Sequence, residues 1–288
     1  MSIDTQIMLG IEPARYRSWG EISQSIIKHG RSSMAHLRAA WDRALAGESE
    51  PTDAMQLGTA VHAMALEGQA GYDRIAAWSG GIRRGKAWDA FEADAINAGK
   101  ILVTTAQYDT AARITDAIGA APQAQNLLLT IAATEVTARG FWNGLPVKGR
   151  ADAITSDHST VIDLKVCRST EPTAFMRSAF ALGYHIQAAV YLRLFDAKRF
   201  VIIAVESSEP HDVVVYEFSP QVIRFATAEV DRIVAGVLRC IDSGKWPGRS
   251  AEVETIQLPA WMADADDSYS PMTIGGVAAF ATDADEVF

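Results

Sequence analysis

Cysteine is scarce in this sequence, which contains only Cys167 and Cys240, far apart in the chain. This scarcity excludes a disulfide framework and argues against a zinc or iron–sulfur site built on clustered cysteines. The sequence also lacks any uninterrupted apolar run approaching eighteen residues, and its start lacks a basic-then-apolar leader. We therefore expect neither a membrane-spanning helix nor secretion, and the expected location is the cytoplasm.

Positive charge is also in short supply. The 288 residues include 26 Lys and Arg against 35 Asp and Glu, a formal net charge of −9. A generic nucleic-acid-binding protein is normally basic, so this balance argues against that class. The acids are unevenly distributed, because six of them and no Lys or Arg lie between Ala263 and the C-terminus. Local basic strips in the rest of the chain can still face a polyanion.

Apolar residues, by contrast, make up 49% of the chain, which is ample for a packed core. Helical periodicity dominates the first half, and short apolar strands and further helices follow. We predict a single domain over residues 1–262, in which a helical segment at about 20–130 packs on the core. Residues 263–288 are acidic and rich in small residues, which predicts a flexible tail.

The most informative stretch runs from Thr134 to Arg168 and predicts three β-strands joined by two tight turns. Asn143-Gly144 is a strong hairpin signal, because both central residues of a type I′ turn need positive φ. This turn would pair residues whose numbers sum to 287. The polar run at 156–159 supplies the second turn, which would pair residues whose numbers sum to 315.

Together the two registers predict one rung of three carboxylates, with Glu135 opposite Asp152 and Asp152 opposite Asp163. Like charges about 5 Å apart repel by about 3 kcal/mol per pair at an effective dielectric near 20, so the rung needs a cation. Lys165 faces the same way as Asp163, and the register sets Arg150 opposite Lys165. Oxygen ligands favour Mg²⁺ or Mn²⁺ over zinc. A solvated ion pair is the alternative for Asp163 and Lys165, and a β-bulge would dissolve the rung.

A glycine-rich stretch at residues 79–86, which we call the basic loop, leads into a helix that begins near Trp88. It lacks the residue order of a phosphate-binding nucleotide loop. Its cations Arg83, Arg84 and Lys86 could instead follow a phosphodiester backbone while Trp88 stacks on a base. A solvated surface loop is the alternative.

Two predicted helices carry polar residues on otherwise apolar faces. His62 lies on a helix over 56–67, where packing in the core is the alternative to a functional role. Tyr184, Gln187 and Tyr191 lie at i, i+3 and i+7 and therefore share one face of a later helix. That helix follows the third strand of the meander, so its polar members can reach the rung, although core packing is again the alternative.

Taken together, these residues resemble the PD-(D/E)xK nuclease superfamily and, within it, the RecE-type (exonuclease VIII) recombination exonucleases of phages and prophages. The resemblance covers roughly Ile22 to Trp261. It depends on four motifs in the family's order: Leu57-Gly58-Thr59-Ala60-Val61-His62, Lys148-Gly149-Arg150-Ala151-Asp152, Asp163-Leu164-Lys165 and Gln187-x-x-x-Tyr191.

The resemblance implies an α/β fold in which a central mixed β-sheet, begun by the antiparallel three-strand meander, is flanked by helices. It implies that Asp152 and Asp163 bind Mg²⁺, for which Mn²⁺ could substitute. Glu135 joins them mainly on the register argument. The chain has Asp163 where Glu is often found, which preserves the charge. The remaining implied site residues are the catalytic Lys165, the active-site His62, and Gln187 and Tyr191 lining the site.

The implied activity is Mg²⁺-dependent hydrolysis of double-stranded DNA ends, 5′→3′ with 5′-phosphate products, for recombination or repair in a bacterium or phage-infected host. A single-strand annealing protein and a homo-oligomeric ring are the implied partners. Two alternatives stay open: an endonuclease acting on specific DNA structures or sequences, and a non-enzymatic protein that binds DNA ends or a partner. The candidate DNA contacts are Arg83, Arg84, Lys86, Trp88, Arg150 and Arg168.

Overall fold

The structure, a computed structural model, describes residues 5–47 and 52–257, together with the backbone of 273–274 and 277–278. None of the helices within these ranges combines the length and the apolar composition needed to span a bilayer. The chain divides into two units, Met1–Arg249 and Ser250–Phe288.

In the second unit, the described part comprises residues 250–257, which have no regular secondary structure, and a small antiparallel hairpin. The acidic tail predicted from residue 263 lies outside the described residues except for the backbone of this hairpin, so its flexibility stays a prediction. The sheets and helices described below, apart from the hairpin strands, belong to the first unit.

The strands are short at the start of the chain and long in its middle. In chain order they are β1 (Gln6–Met8), β2 (Ile22–Ser23), β3 (Ile75–Trp78), β4 (Ile101–Thr104), β5 (Ile131–Trp142), β6 (Leu145–Thr155), β7 (Thr160–Cys167), β8 (Arg199–Glu206), β9 (Val213–Glu217), β10 (Thr273–Ile274) and β11 (Val277–Ala278).

The helices fill the first half of the chain and then cover the sheet. In chain order they are α1 (Pro13–Ser18), α2 (Gln24–Ile27), α3 (Met34–Leu45), α4 (Asp53–Glu67), α5 (Gln69–Asp73), α6 (Lys86–Asn97), α7 (Thr105–Ala120), α8 (Pro122–Leu128), α9 (Pro172–Leu182), α10 (Tyr184–Leu194) and α11 (Pro220–Ser243).

The main sheet has the strand order β1-β5-β6-β7-β8-β9, and β2 pairs in addition with β6. Strands β5, β6 and β7 form the predicted antiparallel meander, while β7 pairs with β8 in parallel and β8 with β9 antiparallel. The prediction of an α/β fold with a central mixed sheet is therefore confirmed. Strands β3 and β4 form a separate parallel pair that the sequence patterns did not indicate.

The first hairpin of the meander has the predicted turn. Asn143 and Gly144 have φ values of +48° and +90°. The φ angle is therefore positive at both central residues, as a type I′ turn requires. The β5–β6 pairs follow the sum of 287 from the turn back to Ala133, which pairs with Ile154. The turn residues therefore fixed the register of the two longest strands.

Helices pack on both faces of the sheet, and each face has its own apolar cluster. On one face α10 and α11 pack over the meander and β8, with α2 and α3 alongside; on the other face α4 and α7 pack over β7 and β8. Residues at the centre of the second cluster include Ala60, Val61, Met64, Ile114, Leu164 and Ile203. The middle strands are consequently buried on both sides, as their nearly continuous apolar sequence requires.

Two helix starts can be compared with local sequence, in which Ser32 or Ser33 and Thr170 are the expected N-cap residues. Ser33 caps α3 by accepting a hydrogen bond from the backbone N–H of His36, as predicted. For α9 the predicted cap, Thr170, is wrong by one residue: Glu171 caps the helix, and Pro172 occupies its first turn. Thr170 instead donates its backbone N–H to Glu206, which ties the start of α9 to the end of β8.

Candidate active site

Strands β6 and β7 separate early, and the candidate site lies where they part. The two strands pair only at Ala153 with Ile162 and at Ile154 with Val161, both of which obey the predicted sum of 315. Beyond these pairs β7 leaves β6. Further along, β2 pairs with β6 at residues 147–148, so residues 149–152 of β6 pair with neither β2 nor β7.

This separation corrects part of the predicted rung. The pairing of Asp152 with Asp163, and of Arg150 with Lys165, does not form because the ladder ends one residue earlier. Asp152 still lies beside β7, since its Oδ2 accepts a hydrogen bond of 2.9 Å from the backbone N–H of Leu164. The carboxylate thus takes the place of the backbone carbonyl that a paired strand would have offered.

Helix α10 satisfies the backbone of β6 in the same gap. The hydroxyl of Tyr191 donates a hydrogen bond of 2.7 Å to the carbonyl of Arg150. This contact requires a glycine at the preceding position, because a Cβ on Gly149 would lie 2.9 Å from the Tyr191 ring. Gly149 and Tyr191, which belong to two separate sequence motifs, are therefore parts of one contact in this gap.

Glu135 occupies the corresponding position on β5. It lies between the pairs Thr134–Ala153 and Val136–Ala151, so the sum of 287 holds on both sides and Glu135 lies across from Asp152, but these two residues do not themselves pair. Its φ of +51° is in the left-handed region, which disfavours residues with a side chain. Strained backbone of this kind is concentrated at functional sites, and here it marks the strand position nearest to the gap.

Asp163 is the most deeply buried acid of the site. Its Oδ1 accepts a 2.5 Å hydrogen bond from Nε2 of Gln187, and its Oδ2 lies 2.7 Å from Nζ of Lys165. Burial raises the pKa of Asp163 to about 6, although the Lys165 ammonium opposes that rise. Burial would lower the pKa of Lys165, but the carboxylates of Asp163 and Asp152 outweigh it and the pKa is raised. Lys165 therefore stays an ammonium.

The other two acids are each next to a cationic or titratable partner. Nδ1 of His62 on α4 lies 3.4 Å from Oδ2 of Asp152, and Nη1 of Arg150 lies 3.3 Å from Oε2 of Glu135. Burial raises the pKa of Glu135, and the nearby charge of Asp152 raises it further. Glu135, Asp152 and Asp163 with Lys165 form what we call the acidic centre.

An open cleft of about 550 Å³ gives access to the acidic centre. The side chain of His62 on α4 is 26% exposed there, so it is not buried in the core of the protein. The titratable side chains that line the cleft are His62, Glu67, Arg74, Glu135, Arg150 and Lys165. The helix α4, the meander and Lys165 thus meet around one space large enough to admit a phosphate group.

The acidic centre fits a divalent cation through its donor chemistry. Among the described residues, no three His, Cys, Asp or Glu side chains are gathered as a ready-made metal site. The acids are instead turned toward His62, Arg150 and Lys165. The available donors are nevertheless carboxylate oxygens, and Oδ2 of Asp163 is buried without a well-directed hydrogen bond despite the nearby ammonium. Hard cations such as Mg²⁺ take donors of this kind.

Two of the predicted DNA contacts lie inside the protein's own packing. Trp88 is only 7% exposed and packs edge-on against Trp78, so its ring face is not presented to a base. Arg83 donates a 2.7 Å hydrogen bond to Gln107 and a 3.2 Å one to Gln56. Its guanidinium also lies 5.8 Å from the centroid of the Trp88 ring. Arg83 therefore ties the basic loop to α4 and α7.

The remaining predicted DNA contacts differ in exposure. Arg84 and Lys86 are exposed in the basic loop and at the first residue of α6, and Arg168 is exposed just after β7. Arg150 is only partly accessible and already binds Glu135. Arg84, Lys86 and Arg168 are therefore the predicted contacts whose charge faces solvent.

Two aromatic residues that contact the site are not among the predicted site residues. The ring of Tyr184 lies 5.1 Å from Nζ of Lys165, and its helical spacing from Gln187 already placed it on the same face. Tyr16 lies against Arg150, with 4.7 Å between the guanidinium carbon and the ring centroid. No periodicity surrounds Tyr16 in the sequence, so only the fold could reveal its position.

Comparison with known proteins gives the family and the fold of this chain. Residues 23–259 match the family of PDDEXK-like domains of unknown function. A candidate exonuclease from Eubacterium rectale has a similar structure, with 16% sequence identity and a TM-score of 0.57 over 90% of this chain and 99% of that one. This likeness shows a shared fold. No curated protein matches the sequence significantly.

A second solved structure, that of LHK-Exo in complex with dAMP, is 16% identical over 67% of this chain and 94% of its own. Its TM-score of 0.29 is too low to support any argument. The family match alone spans most of the chain, and the mixed sheet with Asp163-Leu164-Lys165 on a central strand agrees with it. The chain belongs to the PDDEXK-like family and has the fold of the PD-(D/E)xK nuclease superfamily.

Proposed function

We propose that this protein is a Mg²⁺-dependent deoxyribonuclease that hydrolyses phosphodiester bonds at the ends of double-stranded DNA. The observation that carries the proposal is the buried ion pair of Asp163 and Lys165, held by Gln187 next to Asp152 at the base of an open cleft. Buried charges with perturbed pKa values in a cleft are typical of catalytic groups. The four ordered sequence motifs all contribute residues to this one place.

In this proposal Asp152, Asp163 and Glu135 hold one or two Mg²⁺ ions, for which Mn²⁺ can substitute. A bound ion would polarise the scissile phosphate and lower the pKa of an attacking water. The carboxylates are suited to this task because Asp152 lies between the other two and its charge acts on both. Asp152 repels each of its two neighbouring carboxylates, and a divalent cation relieves that repulsion.

Lys165 has the catalytic role. Its ammonium is held in place by Asp163 at 2.7 Å and by the face of Tyr184. A fixed ammonium at this position can orient the attacking water and stabilise the charge that develops on the phosphate oxygens. Because its pKa is raised, Lys165 acts as a cation and not as a general base near neutral pH.

The other motif residues support these groups. Gln187 fixes Oδ1 of Asp163, which leaves Oδ2 to face Lys165. Tyr191 holds β6 open through the carbonyl of Arg150. His62 does not hydrogen-bond to the backbone of either strand. It lies beside Asp152 at the wall of the cleft. We assign it the task of orienting Asp152 and contacting the substrate phosphate.

We further propose action on DNA ends, 5′→3′ with 5′-phosphate products, in recombination or repair. A single-strand annealing protein and a ring of identical chains are the proposed partners. These finer assignments derive from the RecE-type resemblance of the four motifs. Exposed Arg84, Lys86 and Arg168 are the proposed contacts to the DNA backbone.

Linear and circular duplex DNA of the same sequence test the proposal, each with Mg²⁺ and with a chelator. We expect degradation of linear DNA only, and only with Mg²⁺. Cleavage of the circular form would favour an endonuclease. If neither form is degraded by freshly purified, folded protein in Mg²⁺ or Mn²⁺, the proposed hydrolysis is wrong and a DNA-end-binding or partner-binding role is favoured. Labelling either the 5′ or the 3′ end then gives the polarity.

A further inference from the structure

A stretch near the N-terminus lies against side chains of β5 and β6 and is held there by three cations. We call residues 11–21 the edge segment. Lys148 donates hydrogen bonds of 2.8 and 2.7 Å to the carbonyls of Tyr16 and Trp19. Arg139 pairs with Glu21 and lies over the Trp19 ring. These two cations attach the edge segment without touching the acidic centre.

The third cation, Arg150, touches both the edge segment and the acidic centre. Its Nη2 donates a 2.6 Å hydrogen bond to the carbonyl of Ile11, and its Nη1 lies 3.3 Å from Oε2 of Glu135. Its Nε donates to Oγ1 of Thr137 at 3.3 Å, and Tyr16 supports the guanidinium face. The two nitrogens that reach Glu135 and Ile11 therefore both have protein partners.

This arrangement is suited to positioning and poorly suited to binding DNA. The Arg150 side chain is only 14% exposed, whereas that of Glu135 is 45% exposed. Glu135 also has a φ of +51°, in the left-handed region. Among the described residues, Arg150 is the one that donates a hydrogen bond to its carboxylate. A planar guanidinium can make these three contacts at once, and the compact ammonium of Lys cannot.

We infer that Arg150 is a positioning residue that fixes Glu135 for cation binding and does so by using the edge segment as its second anchor. The inference rests on the proposed function, in which Glu135 is a metal ligand. Partners that orient metal ligands typically change metal affinity or activity by about 10–100-fold when they are removed. The edge segment would thus contribute to the site without supplying a ligand.

The test compares variants that loosen the edge segment with variants that release Glu135. Arg150→Met and Arg150→Lys remove the grip on Glu135, whereas Arg139→Met weakens the same segment from a residue that does not touch the acidic centre. Tyr16→Ala removes the support under Arg150, and Tyr16→Phe retains it. Circular dichroism and thermal melting establish that each variant is folded. Arg150→Lys keeps the test usable if Arg150→Met does not fold.

Mn²⁺ binding is measured directly by electron paramagnetic resonance, and the Mg²⁺ dependence of DNA degradation is measured separately. We expect about tenfold or more weaker Mn²⁺ binding for both Arg150 variants, with a matching rise in half-saturating Mg²⁺ and little change in KM for DNA. Arg139→Met should stay within about twofold of the wild type. Tyr16→Ala should weaken Mn²⁺ binding in the same direction, and Tyr16→Phe should restore it.

Two results would overturn the inference. Unchanged Mn²⁺ binding with a raised KM for DNA would make Arg150 a backbone contact. Equal losses in Arg150→Met and Arg139→Met would mean that the edge segment stabilises the fold generally. If the wild type binds Mn²⁺ but does not degrade DNA, the proposed function fails while the Mn²⁺ comparison still decides the role of Arg150. If it binds no Mn²⁺, the inference fails as well.

Discussion

The acidic centre and the basic loop both carry charged side chains that the sequence predicted to be functional, but the fold treats them differently. In the acidic centre, Asp163 is buried and its partners Lys165 and Gln187 come from strand β7 and helix α10. In the basic loop, Arg83 and Trp88 pack against the protein itself, and Arg84 with Lys86 faces solvent. The first region presents a fixed arrangement, and the second presents exposed charge.

The two regions differ in the energetic cost of their charged side chains. A buried carboxylate costs stability unless it is paired, and the raised pKa of Asp163 shows that Lys165 offsets that cost only in part. The retention of a destabilising buried carboxylate indicates that its charge has a function. Arg83 incurs no comparable cost, because Gln107 and Gln56 satisfy a partly buried guanidinium. Its role is to hold the loop.

The largest expected effect separates the two regions by activity. Lys165→Met should lower the single-turnover rate of DNA degradation by about 10²–10³-fold, because it removes a fixed charge aimed at the developing phosphate charge. DNA affinity should change little. The double variant Arg84→Ala with Lys86→Ala is the matched control and should keep its rate at saturating DNA. A wild-type rate in the Lys165→Met protein would contradict the proposed role of the acidic centre in catalysis.

A smaller effect concerns stability in the presence of chelator. Asp163 has a folded pKa of about 6 against an ordinary value of 3.8, so the folded state binds more protons than the unfolded state between these values. Its contribution to stability is therefore complete below pH 3.8 and is lost as the pH rises through 6. Asp163→Asn should reduce the loss of stability between pH 5 and pH 8 by roughly 1–2 kcal/mol.

Urea unfolding of the wild type and Asp163→Asn at the two pH values measures this difference. Titrating groups away from Asp163 are common to both proteins and cancel. Lys165 loses the Asp163 charge that raises its pKa, which changes the pH dependence of the variant in the same direction. The Arg84→Ala and Lys86→Ala variant should show the wild-type pH dependence, since its exposed charges do not change the environment of Asp163. An identical pH dependence in the Asp163→Asn protein would contradict the buried, raised-pKa carboxylate on which the contrast between the two regions depends.

Local sequence was sufficient to predict the first hairpin and the polar face of α10, but not the opening between β6 and β7. The Asn143-Gly144 turn determines a register by itself, so Glu135 could be placed against Asp152. In that opening Tyr191 packs on Gly149, a contact between residues 42 positions apart that local sequence does not reveal. A pairing register calculated from a turn has no end point. It cannot show where tertiary packing ends the pairing of the two strands.

The basic loop shows the same limit on prediction from local sequence. Composition identified Arg83, Arg84, Lys86 and Trp88 as one group because they are neighbours in sequence. The fold divides them, since Trp88 meets Trp78 of β3, a strand whose parallel pairing with β4 gave no local signal. Partners from distant segments decide which cations are satisfied internally, and a single sequence does not reveal those partners.

The smallest expected effect tests this division within the basic loop. Each phosphate contact contributes about 0.9 to the slope of log affinity against log salt concentration. Replacing Arg84 and Lys86 by Ala should therefore lower that slope by about 2 and weaken binding of any duplex sequence to a similar degree. Arg83→Ala should leave the slope unchanged and instead lower the free energy of unfolding by about 1–2 kcal/mol, because it removes the hydrogen bonds that Arg83 donates to Gln107 and Gln56. Salt titrations of DNA binding, paired with urea unfolding, distinguish the two outcomes. A reduced slope with unchanged stability in Arg83→Ala would show that Arg83 exchanges its protein partners for phosphate, and the loop would then act as the single basic surface that its sequence suggested.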